Sequence, residues 1–162
     1  MKTEWMGRYR PLMRALINHT NNANRFGAVR TEVQDGIWLN LCEWQVLEYL
    51  YEHEDNDEHM LRMSSVLGIA QSSFSNATKT LCRYELVNRY HTRFNKKNVI
   101  LKITDKGKAL YEHRVKTYHL DFFAPFFDAL HPLTDEQLAI FVHALDVFNR
   151  VDQQYDDELI PE

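Results

Sequence analysis

Apolar residues recur at three- and four-residue intervals near the start of the chain. Trp5, Tyr9, Leu12, Met13, Leu16 and Ile17 predict a helical segment across residues 1–30. Pro11 either begins its main helix or kinks it, and Asn18 to Asn24 is rich in residues that weaken a helix. Residues 31–38, around Asp35-Gly36, read as a loop. A well-specified helix opens at Leu39-Asn40-Leu41-Cys42-Glu43-Trp44. Asn40 is its N-cap, Glu43 closes a capping box, and Leu39 can staple onto Trp44. Val46, Leu47 and Leu50 extend the apolar face until the pattern dissolves in the polar run Glu52 to His59. That run lacks the Asp-x-Asp-x-Asp-Gly order of a calcium loop and reads as a solvated connector.

From Leu61 to Thr104 the pattern reads as helix, glycine turn, helix, strand, basic tip, strand. Met63, Val66 and Leu67 form a short apolar face, Gly68 breaks it, and Ile69 plugs the turn. The second helix begins at Gln71. Phe74, Ala77, Leu81 and Tyr84 share one side of it. Ser72, Ser75, Asn76, Lys79 and Arg83 gather on the other, with Ser73 and Thr80 at its edge. This polar face has no carboxylate, whereas a solvated face usually mixes both signs of charge. Small hydroxyl and amide side chains let a helix sit deep in a major groove, while Lys and Arg reach phosphates. The face predicts a DNA-recognition helix. Leu86 to Arg93 and Val99 to Ile103 have strand character, with Phe94-Asn95-Lys96-Lys97-Asn98 as a tight tip between them. A hairpin projecting cations beside such a helix is a wing suited to phosphates or the minor groove.

After the wing, Thr104 caps a long helix whose apolar face continues through Leu110, Val115, Tyr118 and Phe122. Pro125 marks a bend within Phe122-Phe123-Ala124-Pro125-Phe126-Phe127, a knot of four phenylalanines too bulky for a surface. Thr134 and Gln137 form a second capping box, and the last helix carries Phe141, Leu145 and Phe148 before fading from Asp152. The two ends fall outside a minimal winged unit. They predict a dimerisation body, and a dimer sets two reading heads about one DNA turn apart.

Composition changes this picture little, and charge changes it more. With 44% hydrophobic and 26% charged residues, the 162-residue chain reads as a globular protein. It has no apolar run of membrane-spanning length and no signal-peptide core, so a cytoplasmic location away from membranes is expected. Two cysteines give no disulfide framework. The net charge is −4, yet residues 79–116 hold 11 Lys and Arg against three acids. The rest of the chain holds eight bases against 20 acids, so the basic block is a local electrostatic footprint.

The chain resembles the multiple-antibiotic-resistance regulator (MarR) family, homodimeric winged helix-turn-helix repressors responsive to small molecules. Leu39 to Leu47 is similar to the family's L-T-x-x-x-W-x-V-L, and Leu67 to Ser75 to its L-G-I-x-x-S-T-V-S. Leu86 to Arg89 resembles L-V-x-R, and Leu101 to Gly107 resembles V-x-L-T-x-K-G. Order and spacing agree over roughly residues 39–110. Four positions depart from the pattern. Asn95-Lys96-Lys97 stands where the family wing carries Asp-x-Arg, and Asn76 where an arginine often follows the serine. Ala70 stands where a helix cap is common, and Glu85 where a glycine often turns the chain. The resemblance also implies an effector pocket between the winged unit and the dimer body. Tyr9, Met13, Arg14, His19, Trp44 and Tyr111 are its candidate lining residues, each of which also has a plain core or interface reading.

Other classes leave weaker signals. Cys42 falls at the second position of a capped helix, where the helix dipole lowers a thiol pKa, so a redox-sensing regulator is one alternative. Against it, a lone cysteine is usually a small buried hydrophobe. His113 and His119 lie six apart rather than the three or four that share a helix face, so no metal site is assigned. Gly-x-Ser-x-Gly, His-Glu-x-x-His, Cys-x-x-Cys and phosphate-loop patterns are absent, which argues against an enzyme, and no cofactor is expected. A winged-helix protein-interaction module is the remaining competitor. The expected fold is mainly α with a small β-hairpin wing. Its winged unit spans residues 39–110, with dimerisation helices at 1–30 and 111–156. The expected function is a sequence-specific transcriptional regulator, a homodimeric repressor on a pseudo-palindromic duplex released by a small-molecule effector. Gln71, Ser72, Ser73, Ser75 and Asn76 are the candidate base readers, and Lys79, Arg83, Arg93, Lys96 and Lys97 the candidate phosphate contacts.

Overall fold

The computed structural model describes residues 3–55, 60–92 and 95–155. Its contacts divide the chain into two units, residues 1–116 and residues 117–162.

The first unit opens with a 3-10 turn over Thr3–Tyr9, followed by α1 (Arg10–Phe26). Pro11 sits in the first turn of α1, where a missing amide hydrogen costs nothing, so it starts the helix. α1 runs on through the asparagine-rich stretch and buries none of its residues. The segment expected as a loop is instead a hairpin, β1 (Thr31–Gln34) paired antiparallel with β2 (Ile37–Leu39). Asp35 and Gly36 turn it with φ values of 48° and 77°, the left-handed pair that a tight primed turn requires. Ile37 and Leu39 then face the core.

The capping box forms at the start of α2 (Leu41–Glu52). Glu43 N donates to Asn40 Oδ1 at 2.9 Å, and Asn40 N donates to Glu43 Oε2 at 2.9 Å. Leu39 and Trp44 are both buried. α2 stops at Glu52, and residues 56–59 of the following polar run lie outside the described residues. In α3 (Met60–Val66) Met63 is buried, but Val66, read as part of the apolar face, is 58% exposed. Gly68, at φ 63°, ends this helix. Its N–H donates to the Ser65 carbonyl, and that of Ile69 donates to the Ser64 carbonyl.

Next come α4 (Gln71–Arg83), β3 (Val87–Thr92) and β4 (Asn95–Ile103). The two strands pair from Val87↔Ile103 to His91↔Val99, then jump to Thr92↔Asn95. Lys96 and Lys97, expected at the hairpin tip, therefore lie along β4 at a bulge. The core gathers α2, α4, the wing and α5 (Asp105–Arg114) around Leu47, Phe74, Leu81, Leu86, Leu101 and Leu110. Thr104 caps α5, its hydroxyl oxygen accepting from Gly107 N at 3.0 Å.

The long helix expected beyond Thr104 is interrupted by a π-helical segment over Val115–His119, where the two units meet in sequence. The second unit holds α6 (Leu120–Leu130) and α7 (Asp135–Tyr155). Pro125 lies inside α6, and the helix continues past it rather than ending. The phenylalanine knot is not internal to this unit. Phe122, Phe123, Phe126 and Phe127 are 58%, 40%, 55% and 56% exposed; Phe122 and Phe123 have centroids 5.0 Å apart and also meet the rings of Tyr118 and His119. The second capping box forms as read, with Thr134 N donating to Gln137 Oε1 at 3.0 Å and Gln137 N returning to Thr134 Oγ1 at 3.3 Å.

Candidate nucleic-acid interface

α4 is seated by Phe74, Ala77 and Leu81, all fully buried. Thr78 is also buried and satisfies its hydroxyl by donating to the Phe74 carbonyl at 2.9 Å. The helix ends with Glu85 at φ 61°, a left-handed position that glycine usually fills. On the outward side Gln71, Ser72, Ser73, Asn76, Lys79 and Arg83 are exposed, while Ser75 is half-buried. The structure thus brings the base-reading candidates onto one helix, with Ser75 set closer to the core than the others. The Arg83 guanidinium lies 5.6 Å from the Tyr84 ring centroid, a cation–π contact that holds it beside the end of the helix. Ala70 occupies the N-cap and supplies no side-chain hydrogen bond to the first turn.

Thr80, read as the edge of the polar face, belongs to the buried side at 7% exposure. Its hydroxyl oxygen accepts from Arg30 Nη2 at 3.2 Å, and the same nitrogen donates to Glu43 Oε1. Glu43 is 1% exposed, so its carboxylate is compensated inside the fold by Arg30 and the Asn40 amide. Sequence reading missed Arg30. A pairing across 50 residues leaves no local signature, and Thr80 has the same side-chain chemistry as an outward threonine.

In the wing, Arg93 lies outside the described residues, and only the backbone of Lys96 and Lys97 is described. The six effector candidates do not converge. Tyr9, Arg14 and His19 are exposed on the N-terminal helical segment and Met13 is half-buried. Met13 and Arg14 line a recess of about 300 Å³ together with Met6, Arg10, Ile17 and Asn18. Trp44 and Tyr111 instead stack on each other, with centroids 5.4 Å apart.

Tyr111 donates its hydroxyl to Glu48 Oε1 at 3.2 Å. Burial and the Glu48 charge push the Tyr111 pKa up to about 12. Burial also raises the Glu48 pKa, with the Tyr111 hydrogen bond opposing it. The helix position of Cys42 was expected to lower its thiol pKa. Burial, and then the neighbouring Glu43, raise it instead, and burial raises Cys82 as well. A raised thiol holds less reactive thiolate, the opposite of what the helix position alone implies for Cys42. Among the described residues no group of three or more His, Cys, Asp or Glu side chains is placed to hold a metal ion. Among them too, no helix is long and apolar enough to cross a membrane.

Residues 39–107 match the family model of a winged helix DNA-binding domain. No curated protein sequence matches the chain. Among solved structures, the zinc-responsive MarR family member ZitR of Lactococcus lactis superposes with a TM-score of 0.58 at 16% identity. That alignment covers 87% of this chain and 96% of ZitR. MepR of S. aureus, solved as a DNA complex, gives a TM-score of 0.59 at 17% identity, covering 88% of this chain and 96% of MepR. The adhesin competence repressor AdcR of Streptococcus pyogenes gives 0.55 at 14% identity, covering 88% and 96%. Residues 39–107 therefore match a winged-helix domain model, and the chain has the fold of the MarR family regulators on which it superposes.

Proposed function

We propose that this protein is a homodimeric transcriptional repressor that binds a pseudo-palindromic duplex through α4 and is released by a small-molecule effector. The observation that carries this reading is the outward face of α4, where Gln71, Ser72, Ser73, Asn76, Lys79 and Arg83 stand exposed without a carboxylate among them. Ser72, Ser73 and Asn76 are short enough to approach base edges, with Ser75 reaching from the helix flank. Lys79, Arg83, Arg93, Lys96 and Lys97 would meet phosphates. The wing lysines are point charges without arginine's planar fork, so they serve backbone contact rather than groove insertion.

The dimer reading is supported by the exposed phenylalanines of α6, together with exposed Ile140, Val142, Val147 and Phe148 on α7, apolar side chains of the kind that mark an interface. The relatives named a repressor and solved on DNA support repression and duplex binding by analogy. We place effector contact at the α1 recess beside Met13 and Arg14, with Tyr9 and His19 on the same helical segment. Trp44 and Tyr111, engaged with each other, fit a packing role better.

Selection of bound DNA from a random duplex library tests the reading. Recovery of a pseudo-palindrome of about 16–20 base pairs, bound much more weakly as salt rises from about 50 to 200 mM, is the expected result. No enrichment and a flat salt response would leave the protein-interaction module as the better account.

A further inference from the structure

We infer that Arg30 is a positioning residue for DNA reading: it acts through Thr80 to fix the seat of α4, and is not itself a phosphate contact. The inference rests on the DNA-reading function proposed above. Arg30 lies in the loop between α1 and β1, outside the matched winged domain, and reaches α4 across 50 residues. One nitrogen, Nη2, donates to both Glu43 and Thr80, so a single planar group ties the start of α2 to the middle of α4. The same loop is anchored a second time, Leu41 N donating to the Gly27 carbonyl at 3.3 Å.

The Arg30 side chain is 43% exposed, but its Nη2 is turned inward onto a carboxylate that is 1% exposed, so that nitrogen is committed to the interior. Thr80 sits four residues after Asn76 and next to Lys79, one turn along the reading helix. Hydrogen bonds to base edges tolerate displacements of only about 0.5 Å. A tether at Thr80 therefore acts on sequence discrimination before it acts on stability. Lysine at position 30 would keep the charge but lose the rigid planar group that holds one nitrogen between the two acceptors.

The test uses the full chain and compares its selected duplex with a scrambled duplex over a salt series, for wild type, Thr80→Val, Thr80→Ser, Arg30→Lys and Arg30→Met. Valine keeps the shape and removes the acceptor; serine keeps the acceptor. The expected result is roughly five- to tenfold weaker binding of the selected duplex by Thr80→Val, with scrambled-duplex affinity and salt slope unchanged and near wild-type behaviour for Thr80→Ser. Arg30→Lys should follow Thr80→Val, so the inference stays open to refutation if the valine variant folds poorly. Full retention of binding by Arg30→Lys, with a salt slope reduced by about one in Arg30→Met, would identify a phosphate contact and overturn the inference. Unchanged discrimination in Thr80→Val would overturn it alone. A wild-type protein that selects no duplex would overturn the DNA reading and this inference together.

Discussion

Leu86 N donates to the Leu81 carbonyl at 2.9 Å across the end of α4, and both side chains are completely buried. With Glu85 N donating to the Cys82 carbonyl at 3.0 Å, this is a Schellman closure whose left-handed residue is glutamate. A side chain in that conformation costs about 1–2 kcal/mol, which glycine avoids. Glu85→Gly should therefore raise stability by about 1 kcal/mol in denaturant unfolding. The Lys106 contact it removes, 3.6 Å between two exposed groups, contributes little.

Gly107 presents the opposite case. A Cβ there would lie 2.3 Å from the Leu86 carbonyl oxygen and 2.8 Å from Ile103 Cγ1. Backbone on one side and a buried isoleucine on the other leave no room to yield. Gly107→Ala should destabilise the winged unit by about 1–3 kcal/mol, read as a lower denaturation midpoint with an unchanged slope.

Base and phosphate contacts separate by readout. Asn76→Ala should relax preference at one position of the selected duplex and cost about 1–3 kcal/mol. Lys79→Ala should weaken all duplexes alike and reduce the salt slope by about one. Binding isotherms on matched and mismatched duplexes at several salt concentrations distinguish the two.

Burial raises the Glu48 pKa, so the folded protein binds this proton more tightly than the unfolded chain. Its contribution to stability is greatest below the ordinary value of 4.5 and is lost as pH rises through the raised folded value. Glu48→Gln keeps an acceptor for the Tyr111 hydroxyl and removes the charge. Thermal unfolding between pH 4 and pH 8 should show a higher midpoint for the variant at neutral pH and a flatter profile.

Phe126 is 55% exposed on α6. Phe126→Glu should convert a dimer to a monomer in sedimentation velocity while leaving the melting of the first unit in place, because that unit's core contains no α6 residue. An unchanged sedimentation coefficient would place the dimer contact elsewhere.

The parts of this fold that could be read from sequence are those settled within one helical turn. Asn40 with Glu43, Thr104 with Gly107 and Thr134 with Gln137 each close over three residues and form as read. The Asp35-Gly36 hairpin carried a turn signal, but strands of four and three residues are too short for alternation to accumulate. Its support is tertiary: Ile37 and Leu39 enter the core, and Trp38 N donates to the Tyr84 hydroxyl at 3.5 Å. The π segment at Val115–His119 holds neither proline nor glycine, so nothing local announced it. In the candidate interface, periodicity sorted the outward face of α4 except at Ser75, which is half-buried, and at Thr80, which is buried against Arg30 and Glu43.

Glu43 spends its two carboxylate oxygens on different tasks, one closing the cap at Asn40 and the other receiving Arg30. Substitution at any one of Arg30, Asn40, Glu43 and Thr80 therefore changes the setting of the other three. A lineage that loses Arg30 first leaves a buried anion with half its compensation, and one that loses Glu43 first strips both a cap and a counter-ion. Exchange at these sites should proceed in pairs, so the order in which Arg30, Asn40, Glu43 and Thr80 change constrains which relatives of this chain are reachable by single substitutions.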